Sequence, residues 1–122
     1  MKWACEMRAD RGCNEEFVGL MADAGCVGLY VGAESGSNRM LKLFNKGVTR
    51  KQILQTADNA RNNNISLALS IIRDHPEETK KDRQDTKTLI AEANPLHVWD
   101  CPYRPRVPRI AAKRTFIRTA TA

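Results

Sequence analysis

Residues 26–38 read CVGLYVGAESGSN, an uninterrupted apolar run followed by a loop of glycine, serine and one glutamate. The apolar part is too short for a helix and is rich in Val, Leu and Tyr, so it predicts a β-strand buried on both faces. A second run of the same kind, ISLALSII, occupies residues 65–72. Such strands are typical of parallel sheets covered by helices, and the two runs therefore indicate an α/β fold.

Residues that begin and end helices alternate with these strands. Asn14 and Thr49 are suited to cap helices, Thr49 forms a capping box with Gln52, and the pair Asn94-Pro95 ends a helix. The predicted helices are 15–24, 39–45, 50–63 and 80–93, and the predicted strands are 2–7, 26–31, 65–72 and 96–103. This order, βαβααβαβ, requires a parallel sheet with right-handed crossovers. In the first helix, Phe17, Leu20, Met21 and Ala24 recur at helical spacing, which favours the helix over 15–24.

The basic residues divide the chain into two segments. Of its 20 Lys and Arg residues, six follow Tyr103 in a stretch that contains no acid, so the part before it is electrically balanced. We expect an ordered domain over 1–103 and an unstructured basic tail over 104–122. The tail is interpreted either as a nucleic-acid-binding arm, or as a stretch without a function of its own: sequence translated beyond the natural frame, or a solvated tail. Phe116 is its single aromatic side chain, which favours the second interpretation.

The composition excludes several classes of protein. No apolar run approaches the ~20 residues of a membrane span, and the N-terminus lacks the apolar core of a signal peptide, so a cytoplasmic location without disulfides is expected. Cys5, Cys13, Cys26 and Cys101 have none of the close spacings of zinc or iron–sulfur ligands, so we expect no metal site. Cys26 and Cys101 lie in apolar runs and are predicted to be buried.

Candidate functional residues lie in three loops that follow predicted strands, over 6–11, 32–38 and 73–79. Because the carboxyl ends of parallel strands meet at one edge, these loops are expected to share a ligand site. In the second loop, Gly32 lets a ligand approach the backbone, while Glu34 and Ser35 offer hydrogen-bonding groups. From spacing alone, Lys46 is interpreted as a cation that complements a helix C-terminus, and Ser70 as a buried hydroxyl that bonds to the backbone.

The third loop, RDHPEET over 73–79, is dense in ionisable groups. His75 with Glu78 is compatible with acid–base chemistry in a metal-independent hydrolase or aldolase. The same acids and Thr79 are also the residues that begin a helix, which accounts for most of the loop.

Four segments together resemble the C-terminal half of a radical S-adenosylmethionine (SAM) enzyme core, and most closely the group with a cobalamin-binding domain. They are WACEMRAD (3–10), GCVGLYVGAESGSNRMLKLFNKGVT (25–49), SIIRDHPEET (70–79) and NPLHVWDCPYRP (94–105). The resemblance implies a partial (β/α) barrel of about four parallel strands with helices on the outer side. This chain would supply strands three to six of a (β/α)6 barrel.

The resemblance also implies a SAM site. Glu6 and Glu34 match polar positions near the methionine moiety, and Lys46 matches the basic position that pairs with its carboxylate. Ser70 matches the position near the ribose, while Gly32 and Ser35 belong to the same loop motif as Glu34. The six expected cofactor-binding residues are thus Glu6, Gly32, Glu34, Ser35, Lys46 and Ser70. A small-molecule cofactor is the implied partner, with cobalamin as a further cofactor of the intact parent.

The family motifs that this sequence lacks imply that the chain is a fragment of a radical SAM enzyme. The three-cysteine motif C-x-x-x-C-x-x-C that holds the [4Fe–4S] cluster is absent, and Asp74 and Glu77 stand where the family has glycines. We therefore expect a chain that has no catalytic or metal-binding residues and is inactive alone, whose parent cleaves SAM reductively. Unpaired sheet edges would allow self-association. The alternative is a small α/β binding module that holds nucleic acid through its basic tail and has no membrane partner.

Overall fold

The computed structural model describes residues 1–104, and the predicted tail lies outside these residues apart from Arg104. Strands and helices alternate in the described part. The elements are β1 (Trp3–Met7), α1 (Ala9–Gly12), α2 (Glu15–Asp23), β2 (Cys26–Glu34), α3 (Asn38–Leu43), α4 (Arg50–Asn62), β3 (Ser66–Arg73), α5 (Lys80–Ala93) and β4 (His97–Pro102). The four strands lie side by side in chain order, and each pairs in parallel with the next. The α/β prediction of four parallel strands with helices is confirmed.

The helices begin where the capping residues predict. The Asn14 side chain accepts a hydrogen bond from the backbone N–H of Phe17, and Thr49 with Gln52 forms the expected capping box of α4. Asn94 ends α5 in the left-handed conformation at φ 46°. Local sequence therefore determines these boundaries, because each cap satisfies backbone groups that the helix itself leaves unpaired.

The hydrophobic core lies between the sheet and its helices. Alternate residues of β2 and β3 point into it, and the fully buried ones include Leu29, Val31 and Leu69. The opposite face of these strands is only half covered in the described part, with Tyr30 and Ser70 partly exposed. The prediction of strands buried on both faces is therefore wrong, since helices cover one face only.

Three local features differ from what the sequence pattern suggests. In α2 the buried residues are Val18 and Met21, whereas Phe17 and Leu20 are 40% and 63% exposed. Cys26 is buried as predicted, but Cys101 is exposed because β4 is an edge strand. The short helix α1 follows β1 and begins within the segment 6–11, which the sequence predicts to be a loop.

Within residues 1–104 no helix combines the length and the apolar composition that crossing a bilayer requires.

Candidate functional site

A cleft opens on the face of the sheet opposite the helices, near the carboxyl ends of β1, β2 and β3. Its volume is about 450 Å³. Its walls come from the three strands, from the loop after β1 and from the segment after α3. The lining residues are Glu6, Met7, Arg8, Tyr30, Gly32, Glu34, Lys46 and Ser70. Five of the six residues predicted from the sequence to bind a cofactor therefore share one cavity.

Glu34 and Lys46 face each other across this cleft. The Nζ atom of Lys46 lies 3.7 Å from Oε1 of Glu34, and the two side chains are 28% and 17% exposed, respectively. Glu34 is the last residue of β2. The pairing register between β2 and β3 shifts between Gly32 and Glu34, as it does at a β-bulge. Lys46 follows the end of α3, yet its ammonium group reaches across to the strand. The ion pair is partly solvated.

Gly32 forms the floor between the polar groups of the cleft. A Cβ atom built at this position would lie 2.8 Å from Oε1 of Glu34, 3.7 Å from Oγ of Ser70 and 3.8 Å from Nζ of Lys46. Ser70 is its register partner on β3. The absence of a side chain at residue 32 thus gives the Glu34 carboxylate room to lie against the strand, with a hydroxyl and a base close by.

The loop after β1 brings a second acid and a second base to the cleft. Glu6 pairs in register with Tyr30 of β2. Arg8 forms an ion pair with Asp10 and donates a hydrogen bond from Nη2 to the backbone oxygen of Lys46. The cleft therefore presents two carboxylates and two cations, a balanced set suited to a zwitterion. Arg8 itself is already paired with Asp10.

Ser35 does not join the other predicted residues. It is 1% exposed, and its hydroxyl lies 3.2 Å from that of Thr86 while accepting a hydrogen bond from the backbone N–H of Ser37. The structure places it beneath the loop, against α5. The chain turns at Glu34, whose φ is 67°, so the Ser35 side chain points away from the cavity and its hydrogen bonds stabilise the loop.

Asp82 is a buried carboxylate that the sequence analysis did not single out. It is 4% exposed and accepts hydrogen bonds from the Ser37 hydroxyl at 2.7 Å, from Arg39 and from Thr79. The Arg39 guanidinium, together with the Ser37 and Thr79 donors, holds the pKa of the Asp82 carboxyl well below its ordinary value, although burial opposes this shift. The available signal was the spacing Thr79-x-x-Asp82, which forms a second capping box.

His75 and Glu78 lie outside the cleft. The His75 ring packs edge-on against Phe44 and Tyr103, with centroids 5.4 and 4.4 Å away. The Glu78 carboxylate is buried, with Arg83 at 3.7 Å. Thr79 caps α5 as the helix-start interpretation predicted. A hydrolase or aldolase of this kind would require the two side chains to converge on one pocket, and they do not converge in the cleft.

The cysteines do not fit an iron–sulfur cluster. Among residues 1–104 no group of three His, Cys, Asp or Glu side chains is placed to hold a metal ion. Burial, and then the neighbouring Cys26, raise the pKa of the Cys5 thiol, which favours its protonated form. Cluster ligands are thiolates, so this donor set does not suit the group.

A half-barrel of parallel strands with a polar cleft at their carboxyl ends defines the class of (β/α)-barrel cores. Within that class, residues 4–90 match the Radical SAM superfamily. This match covers more than half of the chain, which therefore belongs to the Radical SAM superfamily.

Similar proteins are known from both sequence and structure. The tRNA-2-methylthio-N(6)-dimethylallyladenosine synthase of Sulfurihydrogenibium sp. (strain YO3AOP1) is 32% identical over 100 residues, which is 79% of this chain and 23% of that enzyme. The radical SAM methyltransferase TsrM from Kitasatospora setae shares the fold with a TM-score of 0.73 at 18% identity, over 83% of this chain and 20% of TsrM. The cobalamin-dependent radical enzyme OxsB gives 0.63 at 21% identity, over 74% and 14%. The chain thus spans about a quarter or less of each.

Proposed function

We propose that this chain is the SAM-binding half of a radical SAM core, and that SAM binds in the cleft between Glu34 and Lys46. The observation that carries the proposal is the placement of an acid and a base on either side of Gly32. The amino acid part of SAM has an ammonium and a carboxylate on one carbon. SAM would replace this partly exposed ion pair, with its ammonium on the acid and its carboxylate on the base.

Each lining group has a natural counterpart in the cofactor. Lys46 would bind the methionine carboxylate, and Glu34 with Glu6 would bind the ammonium group and face the positive sulfonium. The Ser70 hydroxyl would bind the ribose. The bare backbone at Gly32 would let the ligand lie against the sheet. Ser35, which is buried beneath the loop, would act through the shape of that loop.

Reductive cleavage of SAM is general to the superfamily and requires a [4Fe–4S] cluster whose motif this sequence lacks. We therefore assign cofactor binding to this chain and no chemical step. The chain alone should produce no 5′-deoxyadenosine from SAM in the presence of a strong reductant. TsrM and OxsB are described with cobalamin, and its use by a complete protein that contains this sequence is a further prediction, checked by the visible absorption of that protein.

Saturation-transfer NMR of SAM with the purified chain tests the proposal. We expect transfer to the ribose and methionine protons with wild-type protein and its loss with Lys46→Met. The matched control is Lys42→Met, which removes an exposed lysine of α3 that does not line the cleft.

The ligand's own charges provide a second control. Methionine methyl ester lacks the carboxylate that Lys46 is proposed to bind, so methionine should displace SAM better than the ester does. Equal transfer with wild type and Lys46→Met, or equal competition by both compounds, would contradict the proposal.

A further inference from the structure

Glu34 and Lys46 are the two ends of a single excursion of the chain. It leaves β2 at Glu34, passes through the loop 35–37 and α3, and returns at Lys46, whose backbone N–H donates to the Leu41 oxygen at 3.2 Å. The separation of the two charged groups across the cleft therefore depends on how this excursion, residues 35–46, is held.

Helix α5 holds the first half of this excursion. The Thr86 hydroxyl accepts a hydrogen bond from the backbone N–H of Gly36 at 2.9 Å. One turn earlier, Asp82 binds the Ser37 hydroxyl, and Ser37 is also the residue that caps α3. Asp82 further binds Arg39 in the first turn of α3.

We infer that Asp82 is a positioning residue for cofactor binding, one that fixes α3 on α5 and so sets where Lys46 stands relative to Glu34. The cofactor part of this inference rests on the proposed function. Asp82 does not line the cleft, so it would act on the ligand indirectly, through Ser37 and Arg39. Arg39 also donates to the backbone oxygen of Glu77, which ties the same helix to the loop after β3.

Three substitutions separate positioning from folding. Asp82→Asn keeps the shape but removes the charge. Arg39→Gln breaks the same ion pair from a side chain that is 51% exposed, so the core stays intact. Asp85→Asn is the matched control, because this acid lies on the same helix and its carboxylate pairs only with Lys81, at 3.4 Å, among the described residues.

Amide hydrogen exchange of the ligand-free chain gives the first readout. The amides of Phe44 and Lys46 should exchange about tenfold faster in Asp82→Asn and Arg39→Gln, whereas the amides of β3 change less. Arg39→Lys, which restores the charge, should recover much of the protection. Faster exchange spread evenly over β3 and α3, or no change in either variant, would overturn the inference.

SAM affinity of the same variants gives the second readout and separates the two proposals. If wild type binds SAM, the affinity should fall about tenfold in Asp82→Asn and stay unchanged in Asp85→Asn. An unchanged affinity in Asp82→Asn would overturn the positioning role even with wild-type binding intact. If wild type binds no SAM, the proposed function fails, and the exchange of the Lys46 amide alone decides whether Asp82 positions this segment.

Discussion

The bare backbone of Gly32 lies directly against the carboxylate of Glu34, because a Cβ atom at residue 32 would be 2.8 Å from Oε1 of that side chain. Glu34 itself adopts φ 67°, a conformation that non-glycine residues seldom take. The small residue and the unusual backbone together aim one acid into the cleft. Backbone strain of this kind is characteristic of ligand sites, where the surrounding structure holds it in place.

Gly32→Ala should therefore weaken SAM binding by displacing Glu34. We expect an affinity several-fold lower, with little change in the melting temperature because the displaced Oε1 atom is the end of a flexible, partly exposed side chain and alanine is no worse than glycine in a strand. Titration calorimetry measures the effect. In a Glu34→Ala background the same substitution should have much less effect, and a full additive loss there would show that the methyl group acts by another route.

Gly36→Ala should lower the free energy of unfolding, and not only the affinity for SAM. A Cβ atom at this position would lie 2.6 Å from Cα of Thr86 and 2.8 Å from Cβ of Leu89, so α5 itself would have to move. We expect a loss of about 1–3 kcal/mol in the free energy of unfolding, measured by urea denaturation. Gly19→Ala in α2 meets only the Asn63 side chain at 3.9 Å and should instead add about 0.5–1 kcal/mol. Equal changes in the free energy of unfolding for Gly36→Ala and Gly19→Ala would contradict the close packing of Gly36 against α5.

Asp74→Gly should stabilise the chain. Asp74 has φ 63°, and it stands where the resemblance to radical SAM enzymes leads one to expect glycine. Relief of this conformation should outweigh the loss of its exposed ion pair with Arg73 and raise the free energy of unfolding by about 0.5–1 kcal/mol. Asp74→Ala loses the same ion pair but keeps the strain, so it should be less stable than wild type. A stabilised alanine variant would contradict this account.

The stabilising effect of Asp82 should depend on pH. Its pKa is depressed in the folded chain, chiefly by Arg39, so its contribution is fully present above the ordinary carboxyl pKa and is lost as the pH falls below it. At pH 7, Asp82→Asn should cost about 2 kcal/mol in the free energy of unfolding. The difference from wild type should shrink steadily between about pH 4 and pH 2. A difference that is constant over this range would mean that the charge of Asp82 is unimportant.

Sequence reasoning predicted most of the fold because the deciding signals are local. The caps at Asn14, Thr49 and Asn94 each involve residues a few positions apart, and the helix predicted over 80–93 has those bounds in the structure. The faces of α2 were less predictable. Periodicity identifies apolar positions such as Phe17 and Leu20, but the neighbouring elements decide which of them become covered.

The site was predictable only in part, for the same reason. The resemblance to radical SAM enzymes indicated Glu6, Glu34, Lys46 and Ser70, which the structure brings to one cleft. Ser35 was grouped with them because it adjoins Glu34, yet the left-handed turn at Glu34 sends it towards α5. The contact between Ser37 and Asp82 joins residues far apart in sequence, and no local pattern reveals such a pairing.

A titration of the isotopically labelled chain with SAM, followed by amide chemical shifts, tests the central claim most directly. The account predicts shifts that concentrate at Glu6, Gly32, Glu34, Lys46 and Ser70, and that are reduced at all of these residues in Lys46→Met. Shifts confined to the opposite end of the sheet, around Ala60 and Pro95, would contradict it, and so would an unchanged spectrum at millimolar SAM.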